Sequence, residues 1–573
     1  MGVTSVLTTL IWGAISILLA FLIGITIDQY FNELNSNNSI NIIFLIIMPF
    51  FLCLALGFLT TFISNYFTGL FGIEVSELIN KDVFRALQVQ SDKFYNENST
   101  GDLVSRATDD INVIRNFLGN IFINAPVAFA GFIVATYLLF TIDFYIAVFC
   151  LIAFPVITWI INLSRSGYQP RFLKSRSRLG QLTKVIQENV DGVGVTRVFN
   201  SKNTEISRFT EENEGYRNQT IDAHKYRARV GPTAFFLTSI SYLIVLVFGG
   251  YKVIDGELTP GILVSATYLI RMLNVSIQQL SQIMVAMNQS NSAIIRIYDI
   301  LGATPSIIEK PNAINLDNQM KGEITFSNVS FGYQKEPVLN NISFMIPAGS
   351  TVAILGGTGS GKSSLINLIP RYYDVTNGEV RIDNYDIRDL SLQSLRKQIG
   401  FVDQETFLFS CSIRENISFG RSDATLEEVI QVAKIAHIHK FIESLPHGYD
   451  TKIGERGVNL SGGQRQRLAI ARAILSNPKI VIFDDSLSAV DIKTENEIQD
   501  ALRALLEKQT TIIVTQRLSS ISIADMCLII HQGKIVEHGT HDELLEKDGI
   551  YSRLYESQVD DIVDLTILEE MEV

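Results

Sequence analysis

The sequence predicts an all-α membrane domain of six spanning helices fused to a C-terminal α/β domain built on a phosphate-binding loop. Three observations carry this. Long apolar runs with few charges fill the chain up to about Val285, and beyond Glu309 the composition is that of a soluble α/β domain. Lys and Arg gather in two of the connectors between those runs. The string GGTGSGKS sits between a strand-like and a helix-like segment. At 573 residues the chain is too long for one compact domain. The expected division is 1–308 for the membrane domain, 309–320 for a polar, Pro-containing linker, and 321–573 for the α/β domain.

A bilayer-spanning helix needs about 20 mostly apolar residues. Six stretches qualify or nearly do: Val3–Ile27, Ile42–Ile63, Ile121–Thr141, Tyr145–Ile161, Thr233–Tyr251 and Gly261–Val285. The first lacks a basic start and continues well beyond a signal core, so a retained span is expected. The absence of a charged lead-in leaves open a start upstream of Met1. Connector Asp28–Asn41 has no Lys or Arg, whereas Ser64–Asn120 and Asn162–Pro232 carry many, among them Arg165, Arg171, Lys174, Arg176 and Arg178. The positive-inside rule makes these two long connectors, and both chain ends, cytoplasmic. Gln181–Val190 and Thr204–Arg229 are polar and nearly free of Gly and Pro, so the spans should continue as cytosolic helices. Plasma-membrane, multi-pass localisation follows as an expectation, with the lipid bilayer as one partner.

Hydrophobic residues make up 47% and charged residues 18%, with mean hydropathy +0.23. Net charge is −12 without a basic block, which argues against a nucleic-acid partner. Cys53, Cys150, Cys411 and Cys527 lie far apart, in no metal-ligand spacing, as suits a reduced cytosolic domain on a membrane anchor. No internal repeat or low-complexity tract interrupts the chain.

Gly356–Ser363 matches G-x-x-x-x-G-K-[ST] between the strand-like STVAILG and the helix-like SSLINLI. Glycines let backbone N–H groups approach phosphates, and the helix N-terminus adds partial positive charge. The expected ATP-binding residues are Gly356, Gly357, Thr358, Gly359, Ser360, Gly361, Lys362, Ser363 and Ser364. Lys362 should reach the β- and γ-phosphates, and Ser363 should ligate Mg²⁺. Asp484 ends the apolar strand Ile480–Phe483 and suits the second, acidic Mg²⁺ contact of such a site. In LSGGQRQRLAIARA, Ser461, Gly462 and Gly463 open a helix whose N-terminus can bind an anion. The bland alternatives are a ligand-free turn, a buried strand that happens to end in Asp, and a capped surface helix. Their co-occurrence in this order disfavours all three.

These motifs resemble those of a half-transporter of the ATP-binding cassette (ABC) exporter superfamily, and the resemblance covers nearly the whole chain. Tyr333 of FGY is similar to the aromatic that stacks on adenine. Gln404 of VDQE resembles the Q-loop glutamine, which contacts Mg²⁺ and the transmembrane domain. Glu455 matches the exporter X-loop and Asp491 the D-loop. Phe94–Ile111 resembles the first coupling-helix region, and Glu188–Phe199 the segment leading to the second. The resemblance implies two cassettes sandwiching two ATP molecules, each touching one chain's phosphate loop and the other chain's signature.

Two positions depart from the family pattern. Asp485 stands where Glu, the general base, usually follows the Walker B Asp, and Gln516 stands at the switch His. A base must lie within about 2.6–3.2 Å of the proton it takes. Losing one methylene withdraws the carboxylate by about 1 Å, and such misplacement can cost ~10²-fold. Gln516 can donate a hydrogen bond to a γ-phosphate but cannot become cationic. Both changes fall on the same ATP, so the chain resembles the degenerate-site subunit of heterodimeric multidrug exporters. It should export small hydrophobic or amphipathic compounds, drugs or lipids, together with a second, different half-transporter. The alternatives are a homodimeric exporter with slow hydrolysis and an ATP-gated channel or regulatory membrane protein. Arg271, inside the sixth span, is expensive in lipid and should face the bundle interior. A substrate contact, a structural ion pair and a span end near the interface all remain open for it. Phe129, Phe132, Tyr137, Phe235, Phe236, Tyr242 and Tyr268 could line a pocket or face lipid.

Overall fold

The structure is a computed structural model. It describes residues 1–33, 39–316, 320–333, 336–454, 457, 459–485, 509–515, 524–547 and 549–559, without side chains at 30–33, 39–47 and some positions within 120–165, 230–238, 281 and 557–559. Two compact units result. One holds Met1–Gln88 and Thr100–Ala303, the other Val89–Ser99 and Thr304–Val573.

The regular structure of unit one, among its described residues, is helical. Its long helices are α1 (Gly2–Glu33), α2 (Ser39–Val89), α4 (Thr100–Ile142), α5 (Phe144–Asp191), α7 (Lys202–Ile254) and α8 (Pro260–Leu301). The short helices α3 (Asp92–Glu97) and α6 (Val193–Val198) fall between them, and α4 carries π-helical turns at Arg106–Asp110 and Phe117–Phe122. Gly2–Gln29, Met48–Val89, Thr100–Ile142 and Pro260–Leu301 are long and apolar enough to cross a bilayer, and Ser239–Ile254 is a shorter apolar stretch. The expected spans Tyr145–Ile161 and Thr233–Tyr251 run inside the continuous helices α5 and α7, partly over side chains outside the description. The polar stretches Gln181–Val190 and Thr204–Arg229 are helical, as expected, and extend those helices beyond the apolar segments.

Close backbone packing ties the bundle. A Cβ on Gly24 would stand 2.7 Å from the Gly261 carbonyl, and one on Gly261 would stand 1.9 Å from the Gly24 carbonyl, so only glycine lets α1 and α8 meet there. Asp28 locks the same corner. Its carboxylate accepts from Gly261 N (2.7 Å) and from Thr259 Oγ1 (2.5 Å), placing an anion at the positive end of α8. Ala135, Leu139, Ile146, Val245, Leu269 and Ile270 form a buried core where α4, α5, α7 and α8 meet. Lys252 pairs with Asp143, and Arg296 Nε donates to the buried Asp110 (2.7 Å).

Unit two has two sheets. Strands β1 (Ile324–Phe331), β2 (Leu339–Ile346), β4 (Asn377–Ile382) and β5 (Tyr385–Asp386) form an antiparallel sheet in the order β2-β1-β4-β5. Strands β3 (Thr351–Leu355), β6 (Ile399–Val402), β7 (Ile480–Asp484), β8 (Thr510–Val514), β9 (Met526–His531) and β10 (Lys534–Gly539) form the second, ordered β10-β9-β3-β8-β7-β6. Its pairs are parallel except β10 with β9. Near-continuous Val and Ile runs buried on both faces, as in β3, β7 and β8, suit a parallel sheet covered on both sides. Helix α9 (Lys362–Leu368) follows β3 and buries Leu365, Ile366 and Leu368 in the core between the sheets. A second core joins α10 (Ile413–Ile417), α11 (Leu426–Ile435) and α12 (Gly462–Leu475) to the edge formed by Val402 and Phe483. Residues between Glu309 and Leu316 pack along this unit: Ile314 bridges Leu390, Lys310 pairs with Asp389, and Leu316 N donates to Ser394 Oγ.

Candidate nucleotide-binding site

Sheet order builds the site. β3 and β7 both flank β8, so the loop after β3 and the acids ending β7 emerge side by side at the carboxyl edge of the parallel strands. That edge is where ligands of open α/β sheets bind.

The phosphate loop is buried at its base, at Gly356, Ser360 and Gly361, and exposed at its tip, at Thr358 and Gly359. Gly356 has no room for a side chain, since a Cβ would stand 2.3 Å from the Ile530 carbonyl oxygen. Gly359 at the tip takes φ 79°, a left-handed conformation that glycine adopts without steric cost. Lys362 curls over the loop and donates to the carbonyls of Gly356 and Gly357, each at 2.7 Å. Burial pushes its pKa down, against the pull of Asp484 and Asp485. An ammonium held by carbonyls and poorly hydrated is ready to exchange them for phosphate oxygens. Ser360 is buried, and its Oγ has no partner among the described residues.

Burial raises the Asp484 pKa, and a hydrogen bond donated by the Ser363 hydroxyl opposes that rise, with Asp485 and Lys362 acting in opposite senses. The structure therefore brings Ser363 and Asp484 into contact, a pair of hard oxygen donors of the kind Mg²⁺ prefers. Tyr333 lies just beyond β1, half exposed, with its hydroxyl 3.1 Å from Ser364 Oγ. It stands edge-on to Phe331 and Tyr373 at 5.0 and 5.2 Å between centroids. Gln404 is exposed, two residues past β6 at the sheet edge beside β7.

Asp485 occupies a pinned turn. Its φ is 41°, its N–H donates to the Val514 carbonyl at 2.9 Å, and its neighbour Asp484 is in register with Val514 across β7 and β8. Gln516, Glu455 and Asp491 lie outside the described residues.

Ser461 caps α12 with a reciprocal pair. Its Oγ accepts from Gln464 N (3.3 Å), and its own N–H donates to Gln464 Oε1 (2.8 Å). Arg465 Nη1 bonds back to the Leu460 carbonyl at 2.8 Å, bracing the turn. Leu468, Ile470 and Ile474 anchor the helix in the core. Gly462 and Gly463 are only partly covered. Among the described residues no hydrogen bond joins Ser461, Gly462 or Gly463 to the phosphate loop.

The Phe94–Ile111 stretch, which resembles a coupling-helix region, divides between the two units. Val89–Ser99 belongs to unit two, where Asn96 Nδ2 donates to Tyr373 Oη (2.8 Å) and Ser91 Oγ lies 2.6 Å from Ser306 Oγ. Residues from Thr100 onward in the same stretch open α4 in unit one. The paired tyrosines of RYYD, directly after the phosphate-loop helix, were the available signal for Tyr373.

Comparisons with known proteins agree with this geometry. The family described as ABC transporter transmembrane region matches residues 3–277, and the ABC transporter family matches residues 339–488. An ATP-dependent lipid A-core flippase of Syntrophus aciditrophicus (strain SB) is 36% identical over 96% of this chain and 90% of its own length. YgaD of Bacillus subtilis (strain 168), whose name proposes multidrug export, is 37% identical over 86% of this chain and 85% of its own. A bacterial Atm1-family ABC exporter, solved with ATP bound, superposes with a TM-score of 0.84 at 28% identity, covering 97% of each chain. Fold and site together define an ATP-coupled membrane transporter. The chain belongs to the ABC exporter family, with a helical transmembrane domain fused to its nucleotide-binding domain.

Proposed function

We propose that this chain is the ATP-holding subunit of a heterodimeric exporter of hydrophobic or amphipathic compounds, and that the partner's site performs most of the hydrolysis. The pinned turn at Asp485 supports this most directly. With its N–H tied to Val514, the backbone cannot advance to make up for the missing methylene. A carboxylate short by about 1 Å is a poor base for the attacking water. Gln516 removes the second proton-handling group from the same ATP.

In this reading the backbone of Gly356–Gly361 and Lys362 hold the phosphates, and Tyr333 offers its ring to the base. Ser363, Asp484 and Gln404 would hold Mg²⁺, which would supply positive charge against the phosphates. The braced N-terminus of α12 offers Ser461, Gly462 and Gly463 to the ATP on the partner's loop. Closure around both nucleotides shifts the spans between inward- and outward-facing states, and product release resets them. The test is assembly. The purified chain alone should bind ATP yet turn it over at least ~10²-fold more slowly than the complex with its partner. Robust hydrolysis by a verified homodimer would establish the self-sufficient alternative.

Coupling in this reading runs through Gln404 and the segment Val89–Ser99. Asn96→Ala removes the Tyr373 bond, one hydrogen bond worth about 1 kcal/mol. Transport per ATP consumed should fall several-fold while ATP affinity stays unchanged, read from vesicle uptake and phosphate release on the same preparation. An unaltered ratio would place the transmitting contact elsewhere.

A further inference from the structure

A cavity of about 430 Å³ lies within the membrane domain, lined from α1, α2, α4 and α8. That volume suits a small ligand or the head of a larger one. Its walls are of two kinds. Trp12, Met272 and Val275 give apolar surface, and Asn65, Asn124 and Gln279 give amides that can donate and accept. Hydroxyls extend the polar side: Thr9 Oγ1 lies 2.8 Å from Ser64 Oγ, which in turn lies 3.3 Å from Ser5 Oγ.

Among the described residues one ionic group lines this cavity, Arg271, and no carboxylate does. Arg271 stands eleven residues after Pro260, the first residue of α8. At 1.5 Å per residue that is about 16 Å from the helix start, close to the middle of a ~30 Å hydrocarbon layer. Three other cations of this unit have ion-pair partners: Lys252 has Asp143, Arg296 has Asp110, Arg171 has Asp222. Arg271 has no hydrogen bond or ion pair among the described residues. A guanidinium at this depth is expensive unless water or an anion meets it. Covering it with a neutral apolar compound would strip its water and return nothing. A cationic compound would be repelled. A phosphate or carboxylate matches the planar donor fork and can take two parallel hydrogen bonds.

We propose that Arg271 is a specificity-determining residue for an anionic amphiphile. Its guanidinium takes the phosphate or carboxylate headgroup, the cavity amides complete the headgroup's hydrogen bonds, and the Trp12, Met272 and Val275 surface takes the start of the apolar chain. This names the substrate class for the export reading above and rests on it.

Trp12 makes the site readable. The chain has two tryptophans, and the other, Trp159, is exposed and outside the cavity lining. In a Trp159→Phe background the full-length chain, in nanodiscs of zwitterionic lipid, is titrated with dodecyl phosphate, dodecylphosphocholine and dodecyltrimethylammonium. Trp12 fluorescence is followed, with affinities expressed as mole fraction in the bilayer. Dodecyl phosphate should bind at least ~10-fold more tightly than the other two, a difference one charge-assisted contact supplies. Arg271→Gln should erase that preference and Arg271→Lys should keep part of it, with ATP binding unchanged in both. Equal affinity for the three headgroups, or a preference that survives Arg271→Gln, overturns the proposal. Inorganic phosphate alone binding as tightly as dodecyl phosphate also overturns it, in favour of a soluble anion. None of these readings needs ATP turnover or a partner chain, so their failure leaves the subunit assignment standing. A self-sufficient homodimer would remove that assignment without altering the titration.

Discussion

Ser461→Arg is expected to reduce steady-state ATPase activity of the assembled transporter by ~10²-fold or more. Removing one donor aimed at developing phosphate charge typically costs ~10²–10³-fold, and the arginine side chain also fills the space at the head of α12. In the proposed complex this head faces the partner's ATP, where the working base sits. Asp485→Asn acts on the other ATP and should lower turnover only modestly. Lys362→Ala should fall between, because it weakens an ATP that holds the assembly shut without being consumed. Ser461 also caps α12, so loss of the cap alone costs about 1 kcal/mol of stability. Ser461→Thr keeps cap and hydroxyl and should stay near wild type. The measurement is phosphate release by each variant with its wild-type partner. If Asp485→Asn proves as damaging as Ser461→Arg, this chain's own site is the catalytic one.

Asn416→Ala should be the most destabilising single truncation in the helical part of the nucleotide-binding domain. Asn416 is 1% exposed. Its Oδ1 accepts from Phe409 N (2.9 Å) and Arg472 Nη2 (3.0 Å), and its Nδ2 donates to the carbonyls of Phe409 (2.9 Å) and Ser412 (3.2 Å). Alanine leaves at least two donors without partners in the interior, at about 1–3 kcal/mol each, so a loss of about 2–6 kcal/mol is expected. A domain stable by about 5–15 kcal/mol feels that strongly. The midpoint for thermal loss of ATP-analogue binding should fall by several degrees in the full-length chain. Arg472→Met in the same chain should cost less than its single effect, because one orphaned donor disappears with it. Additive effects would show that Asn416 and Arg472 stabilise the domain independently.

Much of this was legible in the sequence because the signals were chemical as well as periodic. GGTGSGKS between an apolar strand and a helix permits few alternatives, and β3 (Thr351–Leu355) and α9 (Lys362–Leu368) lie within one residue of the expected segments at each end. The placement of Asp484 was readable because an apolar run that ends in an acid reads as a buried strand, and Asp484 does end β7. Four of the six apolar runs fall in helices long and apolar enough to cross a bilayer, because bilayer thickness sets a length that a sequence shows directly; Tyr145–Ile161 and Thr233–Tyr251 run inside longer helices whose polar extensions blur that length. Contacts made by ordinary residues were not legible. Asn96 and Tyr373 meet across a long stretch of chain, and neither carries a local pattern that names its partner. Asp28 looked like one acid in an external connector. Its role at the head of α8 appears only once Gly24 and Gly261 bring two backbones together. The left-handed backbone of Asp485 was equally hidden, since Asp tolerates that conformation without a flanking turn signature.

The corner where Gly24 meets Gly261 has a mechanical consequence. With no side chains between the backbones and Asp28 clamping the end, α1 and α8 have almost no slack to slide or pivot past each other. They should travel as a single stiff girder through any rearrangement of the bundle. Trp12 and Arg271 both ride on that girder. Their spacing is therefore conserved through the cycle, and the cavity changes hands by the movement of its other walls, α2 and α4, across a fixed face.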